Sequence, residues 1–150
     1  MEDITIVKDT ENKTPIEIVL KIDENGMTSA IALYEWLELD PSHYARWCKH
    51  HILNNPFAIE GEDYTEIKPD NLIKYEGKNS EFPGNPNPKI DYHITANFAK
   101  KLAMLTKSDR GEIARIYFLK VENEFKVTIK QYYELLNHYH ELEKQISTLE

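Results

Sequence analysis

The residue types that most often do chemistry are few in this chain, and their spacing does not suit catalysis. The 150 residues include six histidines and one cysteine. His43 and His50 are seven positions apart, whereas two ligands of one metal ion on a helix usually stand four apart. Cys48 follows Trp47 in an amphipathic stretch, where a buried structural thiol is more common than a nucleophile. We therefore expect no enzyme, no catalytic residue, no metal and no cofactor.

Charged side chains are the other candidates, because they could bind a macromolecular partner. The net charge of −8 opposes non-specific binding to nucleic acid. Residues 92–117 are the exception, with a net charge of +3 against −9 for residues 1–91. An ordinary solvated face and a contact surface for phosphate or an acidic protein are both open interpretations of the lysines in this basic segment. The predicted partner-binding residues are Glu35, Glu38, Asp40, Arg46, Lys49, Lys100, Lys101 and Lys107.

The elements that would position these residues begin with a predicted β-hairpin. Residues 3–8 and 15–22 are its predicted strands, because the second stretch is β-branched and largely alternating. A helix then follows Thr28 or Ser29 as N-cap. A second helix is predicted over about 42–54, with Pro41 at its start. Two short helices joined by a tight turn predict a helix-turn-helix-like pair. The apolar faces of the two helices are Ala30, Leu33, Tyr34 and Leu37, and Tyr44, Trp47, Cys48 and Ile52.

The middle of the chain reads as turns and short strands. Residues 57–68 predict a short strand and turn, and the proline-rich stretch 77–89 predicts a flexible surface loop. A strand is expected at 90–94, followed by a helix with Thr95 as its N-cap. Ser108 is the predicted cap of the last helix. The third helix should bury Phe98, Ala99, Leu102, Ala103 and Leu105.

The last helix shows the clearest periodicity. Apolar and aromatic residues recur in unbroken steps of three and four from Phe118, which predicts one helix of about 40 residues, roughly 60 Å long. Such a seam needs a partner helix, with a dimer as the default; a higher oligomer, or folding back onto the head, is the alternative. The predicted oligomerisation residues are Phe118, Val121, Phe125, Tyr132, Leu135, Tyr139, Leu142, Ile146 and Leu149.

Together these patterns predict an α+β fold with two parts. The first is a small head over residues 1–117, with an N-terminal hairpin and helix-turn-helix-like helices. The second is a long C-terminal coiled-coil helix over residues 118–150. The N-terminus has no apolar signal-like stretch and no segment is long enough for a membrane span, so we expect a cytoplasmic protein without membrane contact.

Several stretches resemble the AntA/AntB phage antirepressor family. Residues 91–95 (DYHIT), the helix motif at 98–104 (FAKKLAM), then Gly111, Arg115, Tyr117 and Phe118 match its core pattern. Thr28-Ser29-Ala30 and the turn at 60–64 agree with it in order, so the resemblance covers about residues 27–120. These motif residues have fold-determining explanations, such as the close helix approach that Gly111 permits.

The resemblance implies a regulator in the bacterial host cell that binds a phage lysogeny repressor and relieves repression. The head is then expected to be α+β, similar to KilA-N and Bro-N domains. Many members carry a further C-terminal domain, so the chain is either a short member or a piece of a longer one. A sequence-specific DNA-binding regulator, using residues 42–53 and 95–115, is the alternative function.

Overall fold

The computed structural model describes residues 12–67 and 89–149. The predicted strand at 3–8, and the predicted loop at 77–89 except for its last residue, lie outside these ranges. Within them the architecture is α+β, with one small antiparallel sheet and a long final helix. The chain divides into two compact units, residues 1–114 and 115–150.

The first helix, α1 (Pro15–Val19), stands where the second strand of the hairpin was predicted. The Thr14 backbone N–H donates to Glu17 Oε1 at 3.0 Å, and Pro15 occupies the first helical turn. Both features favour a helix start. Ile16 and Leu20 are buried and stand four residues apart, so the same apolar residues also fit one helical face. The prediction of a strand at 15–22 was wrong because this cap outweighs the β propensity of the stretch.

The sheet has three strands, β1 (Met27–Ser29), β2 (Tyr64–Glu66) and β3 (Tyr92–Thr95). Their order is β1-β3-β2, and both pairs are antiparallel. In the register, Thr28 faces Ile94 and Thr65 faces His93. Tyr92 and Ile94 are buried and alternate with the exposed His93, and β3 overlaps the strand predicted at 90–94. The sequence analysis did not predict β1.

Two helical segments follow β1. Helix α2 (Ala30–Trp36) begins after Ser29, whose Oγ accepts from the Ala32 N–H at 3.1 Å. The second segment runs from a 3₁₀ turn (Pro41–His43) through α3 (Tyr44–Cys48) to a π-helical turn (Lys49–Leu53). The predicted cap and both predicted apolar faces are confirmed, since all eight residues of those faces are buried. The helix-turn-helix-like relation between the two segments stays a prediction.

Helix α4 (Ala96–Leu105) leads from the sheet to the final helix. Thr95 Oγ1 accepts from the Phe98 N–H at 3.1 Å, as expected for its N-cap. Four of the five predicted core residues of α4 are buried, but Leu105 is 56% exposed. The chain leaves the helix at this point, and Thr106 takes the buried place, its Oγ1 donating to the Leu102 carbonyl at 2.8 Å.

The final helix, α5 (Asp109–Leu149), is continuous for 41 residues. Ser108 Oγ accepts from the Gly111 N–H at 3.1 Å, which confirms the predicted cap. Beyond Arg115 the large apolar side chains of the seam are largely exposed; Leu135, for example, is 68% exposed. The long helix is thus confirmed, whereas its pairing as a coiled coil stays a prediction. No helix in residues 12–67 and 89–149 combines the length and apolarity that a membrane crossing needs.

Candidate partner-binding surface

A cleft of about 510 Å³ opens between the end of α2 and the helical segment 41–53. We call it the α2–α3 cleft. It contains two of the predicted partner-binding residues, Asp40 and Arg46. Its full lining is Tyr34, Leu39, Asp40, His43, Arg46, Trp47, His50 and His51.

Hydrogen bonds hold the turn at one end of this cleft. Asp40 Oδ1 accepts from the Ser42 N–H at 2.9 Å and from the Ser42 hydroxyl at 2.7 Å. The Tyr34 hydroxyl donates to the Asp40 backbone carbonyl. The bonds from Ser42 hold the pKa of the Asp40 carboxyl below its usual value. Asp40 is therefore a charged, exposed group with a well-defined position.

Buried aromatic rings form the base of the cleft. The Tyr34 ring packs edge-on at 5.2 Å from the centroids of Tyr44 and Trp47. The Trp47 ring lies 5.5 Å from His51, and His51 lies 4.7 Å from His50. Burial, with a smaller contribution from His50, lowers the pKa of His51, so its imidazole is neutral at pH 7. The Arg46 guanidinium adds a positive charge to the lining of the cleft.

Cys48 lies behind this aromatic layer. The thiol is buried, and burial raises its pKa to about 11. Tyr44, one turn earlier, anchors the helix by donating its hydroxyl to the Ile90 carbonyl at 2.7 Å. Cys48 is thus a protonated core side chain, consistent with the structural role expected for it.

The other predicted residues between 35 and 49 are not part of the cleft lining. Glu35 and Lys49 are exposed. Glu38 Oε1 pairs with Arg110 Nε at 3.3 Å, and the Arg110 guanidinium lies 5.4 Å from the centre of the Trp36 ring. The start of α5 therefore contributes a charge to the same side of the head as the end of α2.

The lysines of the basic segment have different surroundings. Lys100 Nζ pairs with Glu17 Oε2 at 2.7 Å, and its side chain is only 19% exposed. This pair joins α4 to α1 and lowers the pKa of Glu17. Lys101 and Lys107 are exposed. Lys100 is thus paired within the head, whereas Lys101 and Lys107 are exposed to solvent.

Residues of the resemblance motifs hold the head together. Asp91 accepts from the Ser29 hydroxyl at 2.6 Å, the Ile31 N–H at 3.0 Å and the Tyr92 N–H at 2.8 Å. One carboxylate therefore ties the start of β3 to the first turn of α2, where a negative charge is favourable. These contacts agree with the expectation that the motif residues determine the fold.

His43 and Arg46 were predicted together as possible DNA contacts of segment 42–53, but His50 and His51 were not predicted to share a surface with them. His43 and His50 were weighed as metal ligands, and solvated or interface histidines were preferred; among the described residues no three His, Cys, Asp or Glu side chains could hold a metal ion. The signal that could have found them is the spacing of His43, Arg46 and His50, since steps of three and four share one helical face. Such a face beside Asp40 can recognise a charged partner by paired contacts of both signs.

Comparison with known protein families gives a match over the head. A family model described as AntA/AntB antirepressor matches residues 28–108, from β1 through α4, which include the α2–α3 cleft. No curated protein and no solved structure matches the chain.

Proposed function

Because the chain belongs to the AntA/AntB antirepressor family, we propose that it acts as a phage antirepressor that binds a lysogeny repressor protein and relieves repression. The family match carries this proposal. It spans the three strands, α2, α3 and α4, so the specific contact surface is proposed to lie in the head rather than in residues 118–149.

The charge of the head supports a protein partner. A repressor must present basic groups to the phosphates of its operator, and a chain with a net charge of −8 can compete for those groups. Glu35 and Asp40 are both exposed, and Asp40 has a defined orientation. An acidic surface of this kind would attract the repressor at long range and repel DNA.

The proposed mechanism also uses α5 to join two or more heads. Apolar side chains of the predicted seam are exposed along the second unit, and burying each large one against a partner helix would contribute about 1–2 kcal/mol. Linked heads make the second repressor contact intramolecular, which raises the apparent affinity roughly 10²-fold or more when the geometry allows it.

The oligomer is tested by Leu135→Asp in sedimentation equilibrium. We expect wild-type protein to be oligomeric at tens of micromolar and Leu135→Asp to be monomeric. Asn137→Asp is the matched control, because it adds the same charge to the same helix outside the 3-4 seam. A monomeric wild type would refute the proposed oligomer.

The antirepressor activity is tested with the purified repressor of the same phage on a fluorescein-labelled operator duplex. Added wild-type protein should release the duplex and lower its anisotropy. Glu35→Lys should release the duplex less effectively than wild type. The same charge reversal in the second unit, Glu134→Lys, should release it as well as wild type does. If wild-type protein leaves the repressor–operator complex intact at every concentration, the proposed function is wrong.

A DNA-binding regulator is the second candidate, favoured by the exposed residues on the outer side of segment 41–53. His43, Arg46, Lys49 and His50 could all approach phosphates there. With so few cations on an acidic chain, we expect weak binding to random duplex that is lost at moderate salt. Sub-micromolar, salt-resistant binding to one defined operator would favour this function over the first.

A further inference from the structure

The loop that follows α3 presents an exposed apolar tip. We call residues 53–63 the Phe57 loop. Phe57 is 82% exposed, the most exposed aromatic side chain among the described large apolar residues of the head. Leu53 and Ile59, four residues before it and two after it, are about half exposed. An aromatic ring this exposed, with two further exposed apolar side chains close to it in the sequence, is a candidate for contact with a partner.

The loop has a defined conformation. The Asn55 side chain donates to the His51 carbonyl at 2.9 Å, and its Oδ1 accepts from the Phe57 N–H at 2.9 Å. On the other side of Phe57, Asp63 Oδ2 accepts from the Ile59 N–H at 2.8 Å, and the Asp63 N–H returns a bond to the Ile59 carbonyl at 2.8 Å. Phe57 is therefore held between two hydrogen-bonded turns, so that little conformational entropy is lost when a partner binds it.

The same loop is anchored to the rest of the head at both ends. Its first bond is to His51, which lines the α2–α3 cleft. At its far end the Asp63 carbonyl accepts from the Thr95 N–H at 3.0 Å, at the end of the central strand β3. Hydrogen bonds therefore tie the Phe57 loop both to the helical segment that lines the cleft and to the central strand of the sheet.

The charges of the segment point to the kind of partner. Residues 53–67 contain four acidic side chains and no lysine or arginine. Glu60 and Glu62 are exposed beside the apolar tip. An aromatic anchor on an acidic loop matches an apolar pocket with basic residues at its edge.

We propose that Phe57 is the anchor of the repressor contact, inserting its ring into an apolar pocket of the repressor bordered by basic side chains. The inference rests on the proposed antirepressor function and assigns the contact to a specific loop. Aromatic anchors at the centre of an interface commonly account for a 30-fold or larger part of the affinity.

The experiment measures release of the fluorescein-labelled operator from the purified repressor of the same phage by four full-length proteins. They are wild type, Phe57→Ala, Glu60→Lys/Glu62→Lys, and Ile18→Ala. Ile18 is the matched control, because it is an apolar residue of α1 that is 55% exposed. We expect Phe57→Ala to need roughly 30-fold more protein than wild type, and Ile18→Ala to match wild type. The double charge reversal should weaken release at low salt more than at high salt.

Melting temperature and sedimentation equilibrium complete the design. We expect Phe57→Ala to melt and sediment as wild type, because an exposed side chain contributes little to the fold. Full activity of Phe57→Ala in the presence of an active wild type overturns the inference and leaves the proposed function intact. If wild-type protein itself fails to release the operator, both the inference and the proposed function are wrong. A lowered melting temperature would mean that the ring is covered within the chain, and an altered oligomer would mean that a second copy covers it; either result overturns the inference.

Discussion

Replacing Gly111 by alanine tests a close contact between the backbone of α5 and the end of α4. Gly111 lies in the first turn of α5, under the end of α4. A Cβ at this position would lie 2.0 Å from the Thr106 carbonyl oxygen and 3.1 Å from the Ala103 carbonyl oxygen. An ordinary contact between a carbon and its neighbour is about 3.5 Å or longer, so the two backbones would have to separate by more than an ångström.

The expected loss of stability follows from two opposing contributions. Alanine in a helix is favoured over glycine by about 0.5–1 kcal/mol. Overpacking against rigid backbone costs about 1–3 kcal/mol, occasionally more, and a gap as small as 2.0 Å puts this site at the upper end. We expect Gly111→Ala to reduce the free energy of unfolding by about 2–3 kcal/mol, which is a fall of roughly 10–20 °C in melting temperature for a domain of this size.

The assay should follow the head alone, because the long helix dominates far-ultraviolet circular dichroism. Both tryptophans, Trp36 and Trp47, lie in the head, so tryptophan fluorescence reports its unfolding. Gly26→Ala is the matched control: Gly26 has φ +76° with no atom within 4 Å of its added Cβ, so that only the backbone strain of about 1–2 kcal/mol applies. A Gly111→Ala protein that is as stable as wild type, or loses less than Gly26→Ala, would refute the close approach of α4 and α5.

Three further predictions concern the polar contacts of the head. Asp91→Ala should lower the free energy of unfolding by about 2–4 kcal/mol in urea titrations, because it leaves the donors around its carboxylate unpaired, and Asp91→Asn should lose less. Burial lowers the pKa of His51, so as the pH falls this imidazole is protonated in the unfolded chain before it is protonated in the folded one. The free energy of unfolding should therefore fall as the pH drops below about 6.5, and it should fall less in His51→Gln. Glu17→Gln and Lys100→Met should each destabilise the head, and a double-mutant cycle should give a coupling of about 1 kcal/mol; additive effects would mean that the ion pair contributes nothing. The pKa of Glu17 is lowered mainly by Lys100, so this coupling should be present at neutral pH and be lost as acid protonates Glu17.

Helical parts of the head were predictable because their signals are local. Ser29, Thr95 and Ser108 each precede an apolar pattern of helical spacing, and each caps a helix in the structure. The same logic gave the 41-residue helix, since no glycine or proline interrupts it after Gly111. The strand predicted at 15–22 was wrong because the β-branched composition was not weighed against the capping signal of Thr14 and Glu17.

The sheet and the binding surface depended on contacts that the sequence does not reveal. Strand β1 is three residues long and has a partner 66 positions away, Thr28 with Ile94. The separation of Glu17 from Lys100 in the chain likewise hid their ion pair. Residues 57–68, which include most of the Phe57 loop, were predicted only as a short strand and turn, because exposure of the apolar tip depends on how neighbouring elements pack around it.

The strand order predicts what happens to the sheet when the chain is cleaved between β2 and β3. The central strand β3 comes from residues 92–95, whereas both of its neighbours come from residues before 67. A single cut between residues 67 and 89 would therefore yield two fragments, neither of which contains two adjacent strands. We expect each fragment alone to lack the sheet, because a lone strand has no partner for its backbone hydrogen bonds. When the two fragments are mixed, we expect them to associate and re-form the sheet by strand complementation. The head could then be used as a split protein, in which recovery of the sheet reports that the two fragments have bound.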